Sequence, residues 1–162
     1  FLLMLKKIQS KSEDLNLTPV GLGTMGFGGY FTRNLKNNLN GELFNMLEPR
    51  YDYKIPGSSG VFTFGALEQL ASEIEPMINY LLDSSPDIVV HTEPAIELYD
   101  ESKLNDYLAI KFQGNRGYSA GLLPLLERLE KQGKIELLKV KRLFFGSLYM
   151  EGYNTFVWKK VN

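Results

Sequence analysis

The 162-residue sequence has no cysteine and a single histidine, His91. Without thiols there are no disulfides, thiolate metal sites or cysteine nucleophiles, and one imidazole builds neither a zinc site nor a histidine cluster. No metal is expected. Long apolar runs are also missing: nothing approaches the roughly 20 residues of a bilayer-spanning helix. The opening stretch from Phe1 to Ile8 carries Lys6 and Lys7 near its end rather than at its start, the reverse of a secretory signal. No membrane partner and a cytoplasmic location are the expectations. Charge of one sign is scarce too. Lys and Arg number 18 against 19 Asp and Glu, a net charge of -1 that provides no general field for a polyanion, so no nucleic-acid partner is expected. What remains is 44% hydrophobic and 23% charged, the composition of one folded domain over residues 1–162.

The chain starts inside an amphipathic run, in which Leu2, Leu3, Leu5 and Ile8 share a helical face opposite Lys6 and Lys7. A helix is expected there, with upstream sequence, including a preceding strand, lost. Leu17 to Leu22 reads as a strand opening into a glycine-rich loop, and Tyr30 to Asn40 as a helix stopped by Asn40 and Gly41. A long loop from Pro49 to Gly60 precedes the β-branched and aromatic strand Val61 to Phe64. Leu67, Leu70, Ala71, Ile74, Met77, Ile78, Leu81 and Leu82 then mark a helix of about five turns. Pro76 inside it costs about 3 kcal/mol in a regular helix interior, which calls for a kink or a break. Asp87 to Thr92, with Ile88, Val89 and Val90 uninterrupted, reads as a central parallel strand. Helices are expected over Lys103 to Phe112 and Ala120 to Gln132, then two strands, Lys134 to Phe144 and Tyr153 to Val161, paired antiparallel around a loop from Phe145 to Gly152. This alternation spells an α/β fold: a Rossmann-like, mostly parallel sheet with helices on both faces and an antiparallel C-terminal strand pair. Ligands of such sheets bind beyond the carboxyl ends of the strands.

Three groups of residues carry candidate chemistry. Gly21, Gly23, Thr24 and Gly26 fall in the spacing that lets backbone approach a dinucleotide pyrophosphate, the basis of an NAD(P)-binding alternative, while a flexible glycine loop is the better account of them. His91 and Glu93 end the Ile88 strand, where an imidazole or a buried carboxylate can take a proton from a substrate hydroxyl; capping the next segment is the structural alternative. Lys111, Arg116 and Tyr118 flank Gly114 and Gly117 and suit either a solvated loop or an anionic or sugar-like substrate. The aromatics from Phe144 to Trp158 read as core.

From Val61 onward the chain resembles the C-terminal half of class I S-adenosylmethionine-dependent methyltransferases, in particular a bacterial group of such proteins. The resemblance rests on Val61-Phe62-Thr63-Phe64-Gly65-Ala66-Leu67-Glu68-Gln69, His91-Thr92-Glu93-Pro94, Leu104 to Ile110, Asn115-Arg116-Gly117-Tyr118, and Gly146 to Tyr153 before Val157-Trp158. It implies S-adenosylmethionine as cofactor and a small-molecule or sugar acceptor. It puts Gly21, Gly23, Thr24, Phe64, Gly65 and Ala66 near the adenosyl group, His91 and Glu93 near the acceptor, and the family's own glycine-rich turn ahead of Phe1. A non-catalytic binding or scaffold domain derived from such an enzyme is the third reading.

Overall fold

A computed structural model of the chain describes residues 2–5, 18–23, 39–42, 44–56, 58–118, 120–147 and 150–161. Its strands are β1 (Leu2–Leu5), β2 (Thr18–Gly23), β3 (Leu39–Glu42), β4 (Ser59–Phe64), β5 (Ile88–Glu93), β6 (Ile135–Ser147) and β7 (Met150–Lys160). Its helices are α1 (Glu75–Ser84), α2 (Leu104–Arg116) and α3 (Leu122–Lys131), with short 3-10 turns at Leu67–Leu70 and Ile96–Leu98. The fold is α/β with one mixed sheet, ordered β3-β1-β2-β4-β5-β7-β6. β2, β4 and β5 run parallel, β7 lies antiparallel to β5, and β6 antiparallel to β7.

The β4 segment and β7 from Gly152 to Trp158 alternate as a pleated sheet with one covered face requires, and β5 does so as far as His91, after which Thr92 and Glu93 are both buried. Val61 and Thr63, Val89 and His91, and Asn154, Phe156 and Trp158 are all buried and stand opposite one another across the ladders. The intervening residues Phe62, Phe64, Tyr153, Thr155 and Val157 belong to the second face and are half-buried or exposed. Helix α3 buries Leu122, Leu125, Leu126 and Leu129, the one-sided spacing of a helix laid on a core, and packs against β6. Met77, Ile78 and Leu81 of α1 join the same apolar cluster, as does Phe44, whose ring lies 5.0 Å from that of Tyr80.

Several sequence expectations meet a different outcome. Leu2–Leu5 is a strand paired antiparallel with β2 and β3, not a helix. A four-residue apolar run satisfies either periodicity, and long-range ladder bonds decide it. Of the helix expected over Tyr30 to Asn40, residues 30–38 lie outside the described residues, whereas Leu39 and Asn40 belong to β3. The single helix expected from Leu67 to Leu82 is two pieces, separated at Ala71, which takes φ 49°. Pro76 falls in the first turn of α1, where its missing N–H has no partner to lose, so the chain breaks ahead of the proline instead of kinking at it. The loop from Pro49 gives up Ser59 and Gly60 to β4. The loop between the last two strands is shorter than the expected Phe145 to Gly152: Gly146 pairs with Glu151 and Ser147 with Met150. Backbone pairing extends through glycine and irregularities in register that side-chain patterning does not reveal.

Candidate functional site

The carboxyl ends of the three parallel strands lie side by side: Gly23 is in register with Phe64, and Phe64 with Thr92. Past Phe64 the chain turns through Gly65, whose N–H donates to the Thr92 carbonyl at 3.0 Å. Gly65 takes φ 53°, a left-handed conformation that penalises any side chain. A Cβ here would stand 3.3 Å from the Tyr153 hydroxyl and 3.6 Å from Glu68 Oε1. Glycine is required both by backbone and by space.

Glu93 secures this turn. Its carboxylate accepts the Ala66 N–H at 3.0 Å and the Glu68 N–H at 3.3 Å, satisfying donors at the start of the Leu67–Leu70 turn that have no helical partner. The side chain is only 1% exposed. Burial pushes its pKa up to about 7, while the Thr63 hydroxyl and the turn's N–H groups favour the charged form and the Glu68 carboxylate opposes it.

His91 lies two residues earlier on the same face of β5, wholly buried, with its ring 6.1 Å from that of Trp158. Nδ1 and the Thr63 hydroxyl oxygen are 2.8 Å apart, and Nε2 has no hydrogen-bond partner among the described residues. Desolvation lowers its pKa to about 3, so the imidazole is neutral at physiological pH. The Thr63 hydroxyl also favours a charged Glu93, which turns its proton toward the carboxylate. The hydroxyl oxygen is then left to receive Nδ1–H, an arrangement that fits the Nδ1–H tautomer.

These environments revise two assignments. His91 and Glu93 do end the strand that the sequence marks, but both are enclosed and engaged by protein groups. Their geometry is that of positioning residues: Glu93 holds the turn, as the capping alternative describes, and His91 supports Thr63. Ala66 is 1% exposed and its N–H is taken by Glu93, so it serves the turn and offers no open surface.

Other groups gather beside this turn. Phe64 stacks on Tyr153 with ring centroids 4.5 Å apart. Glu68 is buried, and no hydrogen bond from a described residue reaches its carboxylate. Desolvation raises its pKa, partly offset by the charge of Arg116. Burial likewise raises the Tyr153 phenol, with Glu68, Tyr118 and Glu93 adding to the effect. Helix α2 delivers Arg116 and Tyr118 to this place because it stops at Gly117, φ 64°, where the Tyr118 N–H returns to the Gln113 carbonyl at 3.1 Å. The Arg116 guanidinium lies 5.2 Å from the Phe112 ring centre. Lys111 sits on the exposed side of α2, its Nζ 5.4 Å from the Tyr107 ring centre, and no interaction ties it to Glu68 or Tyr153.

The glycine motif divides. Gly21 and Gly23 are within β2, in register with Phe62 and Phe64, not in the turn after it where a dinucleotide loop needs them. Thr24 and Gly26 lie outside the described residues. Glu68 and Tyr153 were not singled out from the sequence. The first reads as a polar position on a helix and the second as core, and only their meeting over Gly65 distinguishes them. Among the described residues no group of three or more His, Asp or Glu side chains converges as a metal site, and no helix is long and apolar enough to cross a membrane. Compared with protein families, curated proteins and solved structures, the chain matches none.

Proposed function

We propose that this chain is an S-adenosylmethionine-dependent methyltransferase, or a domain derived from one, that acts on a small-molecule or sugar acceptor in the cytoplasm. The observation that carries the reading is the turn after β4, fastened to the end of β5 by Glu93 and by the Gly65–Thr92 hydrogen bond. Adjacent parallel strand ends with a fixed glycine turn form the ligand-binding edge of doubly wound sheets. The β4-β5-β7-β6 order, with β7 antiparallel to both of its neighbours, supports the same reading, because an antiparallel closing pair is what the resemblance implies. A Rossmann-like sheet with helices on both faces is part of this proposal.

The residues present fit an adenosyl group in part. Gly23, Phe64 and Thr92 bring three parallel strand ends into register, and Gly65 turns the chain beside them without a side chain to crowd Tyr153. When bound, S-adenosylmethionine supplies an electrophilic methyl on sulfur; the acceptor atom gains the methyl, sulfur keeps the bonding pair, and the acceptor gives up its proton. The protein's part is to hold the acceptor in line and exclude water. Glu93 and Thr63 fix the turn that carries Gly65 and Glu68, and Arg116 contributes positive charge beside Glu68.

Calorimetric titration with S-adenosylhomocysteine, NAD and NADP tests the assignment. Saturable heat from S-adenosylhomocysteine alone is the expected result. Heat from NAD or NADP alone would establish the oxidoreductase alternative, and silence from all three a scaffold domain.

A further inference from the structure

Helix α2 is built inside out. Its buried residues are Asp106, Ala109 and Gln113, two of them polar, while Leu104, Tyr107, Leu108 and Phe112 face water. Leu104 is 70% exposed and the other three 38 to 43%, and steps of three and four residues set all four on one side of the helix. The polar inner face holds this orientation. Arg142 pairs with both oxygens of Asp106, that carboxylate also accepts the Asp100 N–H at 2.9 Å, and Gln113 Nε2 donates to the Tyr99 hydroxyl at 3.3 Å. Turning α2 to bury its leucines would break this largely buried ion pair, so the apolar stripe stays outward. Phe144 enlarges the apolar surface. It is 78% exposed and stands beside α2, because the Arg142 guanidinium that pairs with Asp106 also lies 4.9 Å from the Phe144 ring centre. A contiguous exposed patch of this kind marks an interaction surface.

The charges along the stripe select what covers it. Glu101 is exposed just ahead of the first turn, Lys111 and Arg116 are exposed toward the far end, and the helix's own acid, Asp106, is turned inward. Asp100, beside Glu101, is already paired with Lys103 at 3.3 Å. An anionic lipid surface suits the basic end and is repelled by Glu101, whereas a second copy laid antiparallel satisfies both ends at once. With the two-fold axis at Leu108, Leu108 meets its own counterpart. Leu104 and Phe112, each about one turn from the axis, then face each other, and Glu101 and Arg116, each about two turns away, do the same. The two helix dipoles also run in opposite directions, which favours the pair. We propose that the chain self-associates through α2: two antiparallel copies of the helix pack over Leu104, Leu108 and Phe112, with Glu101 of each copy against Arg116 of the other. The proposal goes beyond the methyl-transfer reading and does not rest on it. One helix face is smaller than the roughly 800 Å² per partner of a standard interface, so the dimer is reversible and forms at high concentration.

Sedimentation velocity of the purified chain from about 1 μM to about 1 mM tests the pairing. A mass rising from that of one chain toward that of two, and no further, is the expected result. Leu108→Asp sets two carboxylates face to face on the axis and should weaken association about tenfold or more. Leu104→Ser, at the most exposed of the four positions, is the second variant should the first fail to fold, and it weakens association in the same direction. The decisive measurement uses charge reversal. Glu101→Lys and Arg116→Glu, each alone, should weaken the dimer about tenfold, and an equimolar mixture of the two variants should regain the parent affinity, because opposite charges then meet at both ends. A single-chain mass throughout the range overturns the proposal, as do assemblies that grow past two chains. So does a dimer indifferent to Leu108→Asp and Leu104→Ser, or a mixture no tighter than either variant alone. Co-sedimentation with vesicles of phosphatidylglycerol and phosphatidylcholine, by a chain that stays single in solution, would assign the stripe to a lipid surface and overturn it as well.

Discussion

His91 and Glu93 stand two residues apart on β5, point from the same face and are equally hidden from water, yet the protein treats them oppositely. The imidazole is set among Thr63 and Trp158, has one polar neighbour, and gives up its charge to desolvation. The carboxylate, one step nearer the strand end, meets two backbone N–H groups that work against the same desolvation and hold its pKa near 7. Burial alone therefore does not define a site. What differs is whether the chain beyond the strand supplies donors, and β5 passes from an apolar setting to a hydrogen-bonded turn within a single pleat.

The largest expected effect comes from breaking the second half of that pair. Glu93→Ala leaves the Ala66 and Glu68 N–H groups buried and unmet and should lower unfolding free energy by about 3 kcal/mol, measured by urea denaturation. Glu93→Gln, which keeps an acceptor, should recover part of it. Next is the pH dependence. His91 has a depressed pKa, so its contribution is complete above about 6.5 and is lost as pH falls toward 3. Glu93 has a raised pKa, so its contribution is complete below about 4.5 and is lost as pH rises toward 7. Between pH 4.5 and 6.5 the two slopes oppose each other. Denaturation midpoints of His91→Leu should fall with rising pH across that window more steeply than those of the parent, by more than about 1 kcal/mol in total. A smaller loss is expected for Gly65→Ala, about 1 to 2 kcal/mol from its positive φ and the nearby Tyr153 ring, accompanied by weaker S-adenosylhomocysteine binding in calorimetry. The smallest is His91→Leu at pH 8, about 1 kcal/mol, since only the Thr63 partner is lost from an otherwise apolar setting. Equal losses for His91→Leu and Glu93→Ala would erase the distinction between core and edge.

The sheet's second half is legible in the sequence because its signals are local and redundant. The apolar run at Ile88, the four leucines of α3 and the glycines that stop α2 and α3 each determine a short element. Leu2–Leu5 is not legible, since four apolar residues take the shape of whatever ladder receives them. The site is legible by position and not by role. Glu93 is marked by its place at a strand end, but its capture by the 65–68 turn depends on a fold in space that sequence spacing does not encode. Glu68 and Tyr153 are 85 positions apart along the chain and meet only because β7 runs antiparallel beside β5. Arg116 and Tyr118 reach them through the stop at Gly117, while Lys111, one and a half turns earlier, is carried to another side of the helix.

The position of β7 between β5 and β6 has a bearing on synthesis. Every strand it stitches together emerges from the ribosome before it does. Until residues 150–160 have been translated, the β5 edge carrying His91 and Glu93 has no cover on that side and is open to pairing with another nascent chain. The β5 edge is thus covered last, and a chaperone that shields it at that stage would protect the strand before its partner exists.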